Sequence, residues 1–149
     1  RQGIEAMMAR ADYFIPSSEL LADPHFNLTG LPFPEQFVRL AERIAGCLIV
    51  TRGRQGAYFC YNGQLYRVPA PALAVKDTIG AGDNFHAAFA LALLHGNALS
   101  RAVKFGVAVA SLSCRAYGGR EGVPGLSDAQ ALASSLVQVK VGALDSLGS

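Results

Sequence analysis

Between residues 70 and 95 the sequence changes character twice, and that succession narrows the folds open to it. The segment 70–76 reads as extended; Asp77-Thr78-Ile79-Gly80-Ala81-Gly82-Asp83 follows, and then 84–95 (NFHAAFALALLH), apolar and without internal Gly or Pro. This order predicts a strand, a glycine turn and a helix that the turn opens. The first amides of a helix lack intrahelical partners and its dipole favours negative charge. Gly80, Ala81 and Gly82 therefore let backbone close on a phosphate with little Cβ obstruction, and Asp83 faces the anion. An acid in a first helical turn also stabilises the dipole by a few tenths to about 1 kcal/mol in any protein. The two glycines favour the sharper alternative, since a plain cap does not require them. In that reading Asp83 accepts the proton of an attacking hydroxyl while the amides stabilise a transferring phosphoryl group.

The remainder has the pattern of a layered α/β chain. Spacing predicts helices over 3–10, 34–45, 83–95, 98–114 and 127–138, strands over 12–16 and 47–51, and a hairpin over 56–68. Phe37, Leu40, Ala41 and Ile44 form one face of the second helix, with Glu35, Arg39, Glu42 and Arg43 opposite, so it should lie on a sheet. Gly46 stops it, and Cys47-Leu48-Ile49-Val50 reads as a parallel strand covered on both faces. Asn62-Gly63 between two alternating runs signals a type I′ turn. Ser127 and Gln130 have capping-box spacing at the last helix, and the tail beyond Gln138 carries no signal. With no repeat, low-complexity tract or linker, the chain reads as one packed unit.

At 149 residues and 51% hydrophobic content the chain can bury a sizeable core. Its net charge of +2 is small and its basic residues are scattered, which gives no case for nucleic acid or a membrane surface as partner. The apolar run 85–94 contains His86 and is too short to span a bilayer. Cys47, Cys60 and Cys114 fit neither a zinc pattern nor a disulfide framework; buried reduced thiols and a cytoplasmic setting are expected. His25, His86 and His95 do not converge on a metal. Phe85 stands where a dinucleotide fingerprint wants Gly or Ala, and no P-loop motif occurs.

The string DTIGAGDNFHAAF resembles the signature of the ribokinase-like (PfkB-type) carbohydrate kinases, D-T-x-G-A-G-D with Phe two positions on. The resemblance implies Asp83 as catalytic base, Gly80, Ala81 and Gly82 as the anion hole, and Asp77 beside a monovalent cation. Thr51-Arg52-Gly53-Arg54-Gln55-Gly56 follows a strand directly; taken alone it is explained by a glycine-rich connection. The family has T-x-G-x-x-G here, lining the nucleotide, so Thr51, Gly53 and Gly56 are carried over with Gly82. Val107 and Ala110 would border the adenine, although small apolar residues there also suit close helix packing. The loop 114–124 reads by itself as a helix stop and turn. In the family it offers carbonyl oxygens to a potassium-like ion, a role falling on Ser113, Ala116, Gly118 and Gly122 with Asp77 and Ile79. Many members carry Asn-x-x-Glu near the magnesium; Pro16-Ser17-Ser18-Glu19-Leu20 departs from it, putting Leu20 at the Glu position and the magnesium candidate Glu19 one residue off.

By that resemblance the fold is a ribokinase-like layered α/β fold, a mostly parallel sheet flanked by helices, with a β-hairpin added. The ligands are ATP, Mg²⁺, a sugar and K⁺, with room for a homodimer. Helical spacing of Ile4, Met7, Met8 and Ala11 starts at once, as in a chain continuing from a longer one. Family members have about twice this length. Residues 1–149 thus correspond to the C-terminal, ATP-binding and base-bearing portion, with the sugar-binding and lid portion outside it. The expected reaction is transfer of the γ-phosphoryl group of ATP to a sugar hydroxyl. A nucleoside or phosphosugar acceptor, or a nucleotide-binding fragment without catalysis, remains as an alternative.

Overall fold

The computed structural model describes residues 2–148. In chain order it contains α1 (Gln2–Met8), β1 (Tyr13–Phe14), α2 (Phe33–Ala41), β2 (Cys47–Thr51), β3 (Ala57–Tyr61) and β4 (Gln64–Val68). There follow α3 (Ala81–Leu94), α4 (Leu99–Ser113), α5 (Leu126–Ser135), β5 (Val139–Ala143) and α6 (Leu144–Leu147), and short 3₁₀ turns cover Ser18–Ala22, Pro24–Phe26 and Gly53–Gln55.

The strands form one sheet in the order β1-β2-β3-β4-β5. β1 and β2 run parallel, Tyr13 opposite Cys47 and Phe14 opposite Leu48. At Asn62 and Gly63 φ is 48° and 70°. Two positive φ values make the expected type I′ turn, so β3 and β4 form an antiparallel hairpin and the sheet is mixed. Leu48, Ile49 and Val50 are all buried, the mark of a strand covered on both faces.

The chain divides into two compact units. The first comprises residues up to Arg52, Tyr58–Arg67 and the segment from Lys140 on; the second comprises Gly53–Ala57 and Val68–Val139. In the first, Phe37, Leu40 and Ile44 of the α2 region pack into a core with Met8, Phe14, Leu21, Leu48, Val50 and Leu65. Each such side chain contributes about 1.5–3 kcal/mol of transfer free energy. In the second unit α4 packs against both α3 and α5. Ala88, Val109 and Ala129 meet there beside Phe105. Gly106 lets the Phe85 ring approach so closely that an added Cβ would stand 2.8 Å from it.

Several sequence expectations are corrected. The first strand is two residues long rather than five, and α2 ends at Ala41. Beyond it the N–H groups of Arg43 and Ile44 donate to Leu40 and Ala41, tightening the last turn. Ser127 is no cap: α5 starts at Leu126 after an extended Gly125, with no side-chain cap bond. The tail read as featureless holds β5 and α6. Only Cys114 is buried; Cys47 and Cys60 are half-buried, and all three thiols are free. Burial, then the neighbouring Cys60, pushes the Cys47 thiol up to about 11, so it stays protonated at neutral pH. Among the described residues no helix is long and apolar enough to cross a membrane.

Candidate active site

The glycine turn is held from both ends within the second unit. At its start the N–H groups of Lys76 and Asp77 donate to the Cys114 carbonyl at 2.8 and 3.3 Å. One oxygen of the Asp77 carboxylate then accepts the Ile79 N–H at 3.0 Å, and the other accepts the Gly118 N–H at 3.0 Å. Asp77 thereby ties the turn to the loop that follows α4. The bond from Gly118, then that from Ile79, holds its carboxyl below the ordinary carboxylate range, against a desolvation effect of opposite sign.

At the other end Gly80 is the N-cap of α3, with φ 76° and no side-chain cap bond. Its position against the loop leaves no room for a side chain, since an added Cβ would lie 2.8 Å from the Cα of Gly119. The Ala81 N–H donates to the Thr78 carbonyl at 3.2 Å and the Asn84 N–H to the Gly80 carbonyl at 2.9 Å. The Asn84 side-chain amide also donates to the Gly119 carbonyl at 3.1 Å. Two N–H groups of this first turn, those of Gly82 and Asp83, have no acceptor among the described residues. Asp83 is the third residue of α3 and its carboxylate is exposed. A helix N-terminus with two open donors and a carboxylate on the same turn can hold an anion and take a proton beside it.

The loop residues expected around a monovalent cation gather here. The Ser113 carbonyl accepts the Ala116 N–H at 3.4 Å. It also lies against Gly122, where a Cβ would collide with it. Ser113 is buried and its hydroxyl donates to the Ala110 carbonyl at 2.9 Å. Ala116, Gly118 and Gly122 are half-buried, while the Ile79 side chain is 71% exposed, which leaves only its backbone to take part. The available donors are carbonyl and carboxylate oxygens, a set that fits a hard cation. Among the described residues no group of three or more His, Cys, Asp and Glu could hold a metal. On α4, Val107 is buried and Ala110 half-buried.

The glycines of the 51–56 segment lie in a 3₁₀ turn closed by the Gly56 N–H donating to the Gly53 carbonyl at 2.9 Å. Gly56 has φ 88°, and a Cβ there would run into the Val68 carbonyl and stand 2.7 Å from the Ala70 nitrogen. In the first unit Thr51 ends β2, and its N–H donates to the Pro16 carbonyl at 3.0 Å. A parallel bridge pairs it with Ser17. The departed 16–20 segment and Thr51 therefore meet at the carboxyl ends of two parallel strands, where open α/β sheets bind ligands. Glu19 is exposed, and hydrogen bonds from the Ser17 side chain and its own backbone N–H lower its carboxyl below the ordinary range.

Three contributors escaped the sequence reading: Asn84, Gly119 and His86, whose Nδ1 sits 2.6 Å from the Gly82 carbonyl. Asn84 follows the motif directly and could have been suspected as a side-chain donor. The approach of Gly119 to Gly80 links residues 39 apart and left no local signal.

In architecture the chain is of the ribokinase type. It superposes on the ribokinase of Thermotoga maritima with a TM-score of 0.78 and 26% identity, covering 88% of this chain and 45% of that one. The Arabidopsis thaliana ribokinase complexed with ribose and ATP gives a TM-score of 0.69 and 28% identity over 87% of this chain and 43% of that one. In sequence, residues 1–125 match the pfkB family carbohydrate kinase profile. The chain belongs to that family. The ribokinase of Lactococcus lactis is 34% identical over 125 residues, which make up 84% of this chain and 39% of the relative. The chain thus spans less than half the length of the relatives it matches.

Proposed function

We propose that this chain supplies the phosphoryl-donor side of an ATP-dependent kinase acting on a hydroxyl of a sugar or sugar phosphate. One observation carries the reading: at the start of α3 two N–H groups without acceptors adjoin the exposed Asp83 carboxylate, on a turn braced by Asp77 and Gly119. On the Gly80-Ala81-Gly82 turn the Ala81 N–H is already given to the Thr78 carbonyl, so the open N–H groups of Gly82 and Asp83 receive the negative charge of the transferring group. Asp83 takes the proton of the acceptor hydroxyl as its oxygen attacks the γ-phosphorus. The bond from that phosphorus to the bridging oxygen breaks, and ADP departs with the electron pair. Mg²⁺ supplies charge neutralisation on the phosphates when ATP is bound, and Glu19 is the nearest match to the family's acidic residue for it.

In the same reading Thr51, Gly53, Gly56, Val107 and Ala110 line the nucleotide. Asp77, with the carbonyls of Ile79, Ser113, Ala116, Gly118 and Gly122, would hold K⁺, whose charge would bind together the oxygens of the loop that braces the turn. Three free thiols favour a reducing compartment such as the cytoplasm. The relatives described as ribokinases make a pentose the first acceptor to try.

The test is ADP release by the protein expressed from its complete reading frame, with MgATP and a panel containing ribose, fructose 6-phosphate and adenosine. Acceptor-dependent ADP release with a sugar or sugar phosphate is expected. Binding of an ATP analogue without turnover on any acceptor would contradict the kinase reading and favour a nucleotide-binding role.

A further inference from the structure

We infer that His86 is a positioning residue for the anion-binding turn, acting through the Gly82–Asp83 peptide; the inference rests on the kinase reading above. His86 lies on α3 four residues after Gly82 and three after Asp83, so all three share one helix face. Its Nδ1 is 2.6 Å from the Gly82 carbonyl oxygen, and because a carbonyl only accepts, Nδ1 carries the proton. That carbonyl and the Asp83 N–H are the two ends of one planar peptide group. A donor bound at the oxygen end polarises the group and makes its N–H a stronger donor, an effect of about 10–30% per bond. It also fixes the direction of a peptide plane that begins at a glycine, where the backbone is least restrained.

The N–H so affected has no acceptor among the described residues and stands on the residue read as the base. The His86 ring is steadied by an edge-on contact with Phe85, centroids 6.2 Å apart. Phe85 is itself 2% exposed in the helix pair, so the ring has a fixed neighbour. His86 touches neither donor nor acceptor in this account. It aims and strengthens a group that does.

Three substitutions in the complete protein separate the hydrogen bond from the ring. His86→Ala and His86→Phe both remove the donor, whereas a serine at this position can bond the carbonyl four residues back. His86→Ala and His86→Phe should lower kcat about three- to tenfold, as expected when one charge-stabilising donor is weakened but not deleted. KM for the acceptor and Tm should stay at wild-type values, and His86→Ser should recover most of kcat. Changes in kcat of less than about twofold for Ala and Phe, or a Ser variant no better than Ala, overturn the inference. Asp83→Asn is measured alongside. If it is inactive while His86→Ala is normal, the kinase reading stands and this inference falls; if Asp83→Asn turns over normally, Asp83 is not the base and this inference, which places His86 beside that base, falls while the kinase activity stands.

Discussion

At Gly80 the backbone is left-handed, φ 76°, and a Cβ would stand 2.8 Å from another segment's Cα. Gly80→Ala therefore combines αL strain of about 1–2 kcal/mol with a backbone contact that no rotamer relieves. The expected outcome is a Tm lower by about 4 °C or more, with ATP-analogue affinity reduced because the turn moves off the 118–119 loop. Calorimetry checks both, and wild-type values would show that the loop gives way freely. Asp77 makes a different prediction, in pH. Its folded carboxyl is depressed below 3.8 by bonds from Gly118 and Ile79, so its contribution is present above the unfolded pKa and is lost as pH falls through the folded one. In acid titrations of stability, the wild-type advantage over Asp77→Ala should persist at pH 5 and shrink below about pH 4. An advantage constant down to pH 2 would mean that the carboxylate charge plays no part.

The elements differ in how far they could be read from their own residues. Helices α3 and α4, strand β2 and the hairpin declare themselves through an apolar run, a stop glycine or an Asn-Gly pair, all local in sequence. The motif itself was legible for the same reason: Gly80, Gly82 and Asp83 owe their setting to one turn. What joins that turn to the rest was not legible, because Asp77 to Gly118 and Asn84 to Gly119 are tertiary bonds across 41 and 35 residues. Strand β5 was missed although Val137-Gln138-Val139-Lys140-Val141 alternates apolar and polar residues, the period of a strand; its exposed valines lie on the strand at the edge of the sheet, outside the core. The false capping box shows the converse, a local pattern overridden when an extended Gly125 starts the helix early. Asn84→Ala should cost about 1 kcal/mol, and amide exchange should rise in 116–122 while the 47–51 strand is unaffected. Uniform exchange across both segments would contradict a local clasp.

For the whole molecule, the two compact units and the partial coverage of longer relatives bear on where specificity resides. The donor-side turn lies wholly in one unit, within Val68–Val139, whereas Thr51 and Glu19 belong to the other. Activity of the complete protein is expected to rise with added K⁺ and respond weakly to Na⁺, through the oxygen cluster around Asp77 and Gly118. Indifference to monovalent ions would remove that role. The most direct test of the central claim is kcat for Asp83→Asn in the complete protein, measured by ADP release beside ATP-analogue binding. Loss of a general base with the anion site intact predicts near wild-type binding and a kcat reduced about a hundredfold or more. Turnover close to wild type would contradict the assignment of Asp83 as the base.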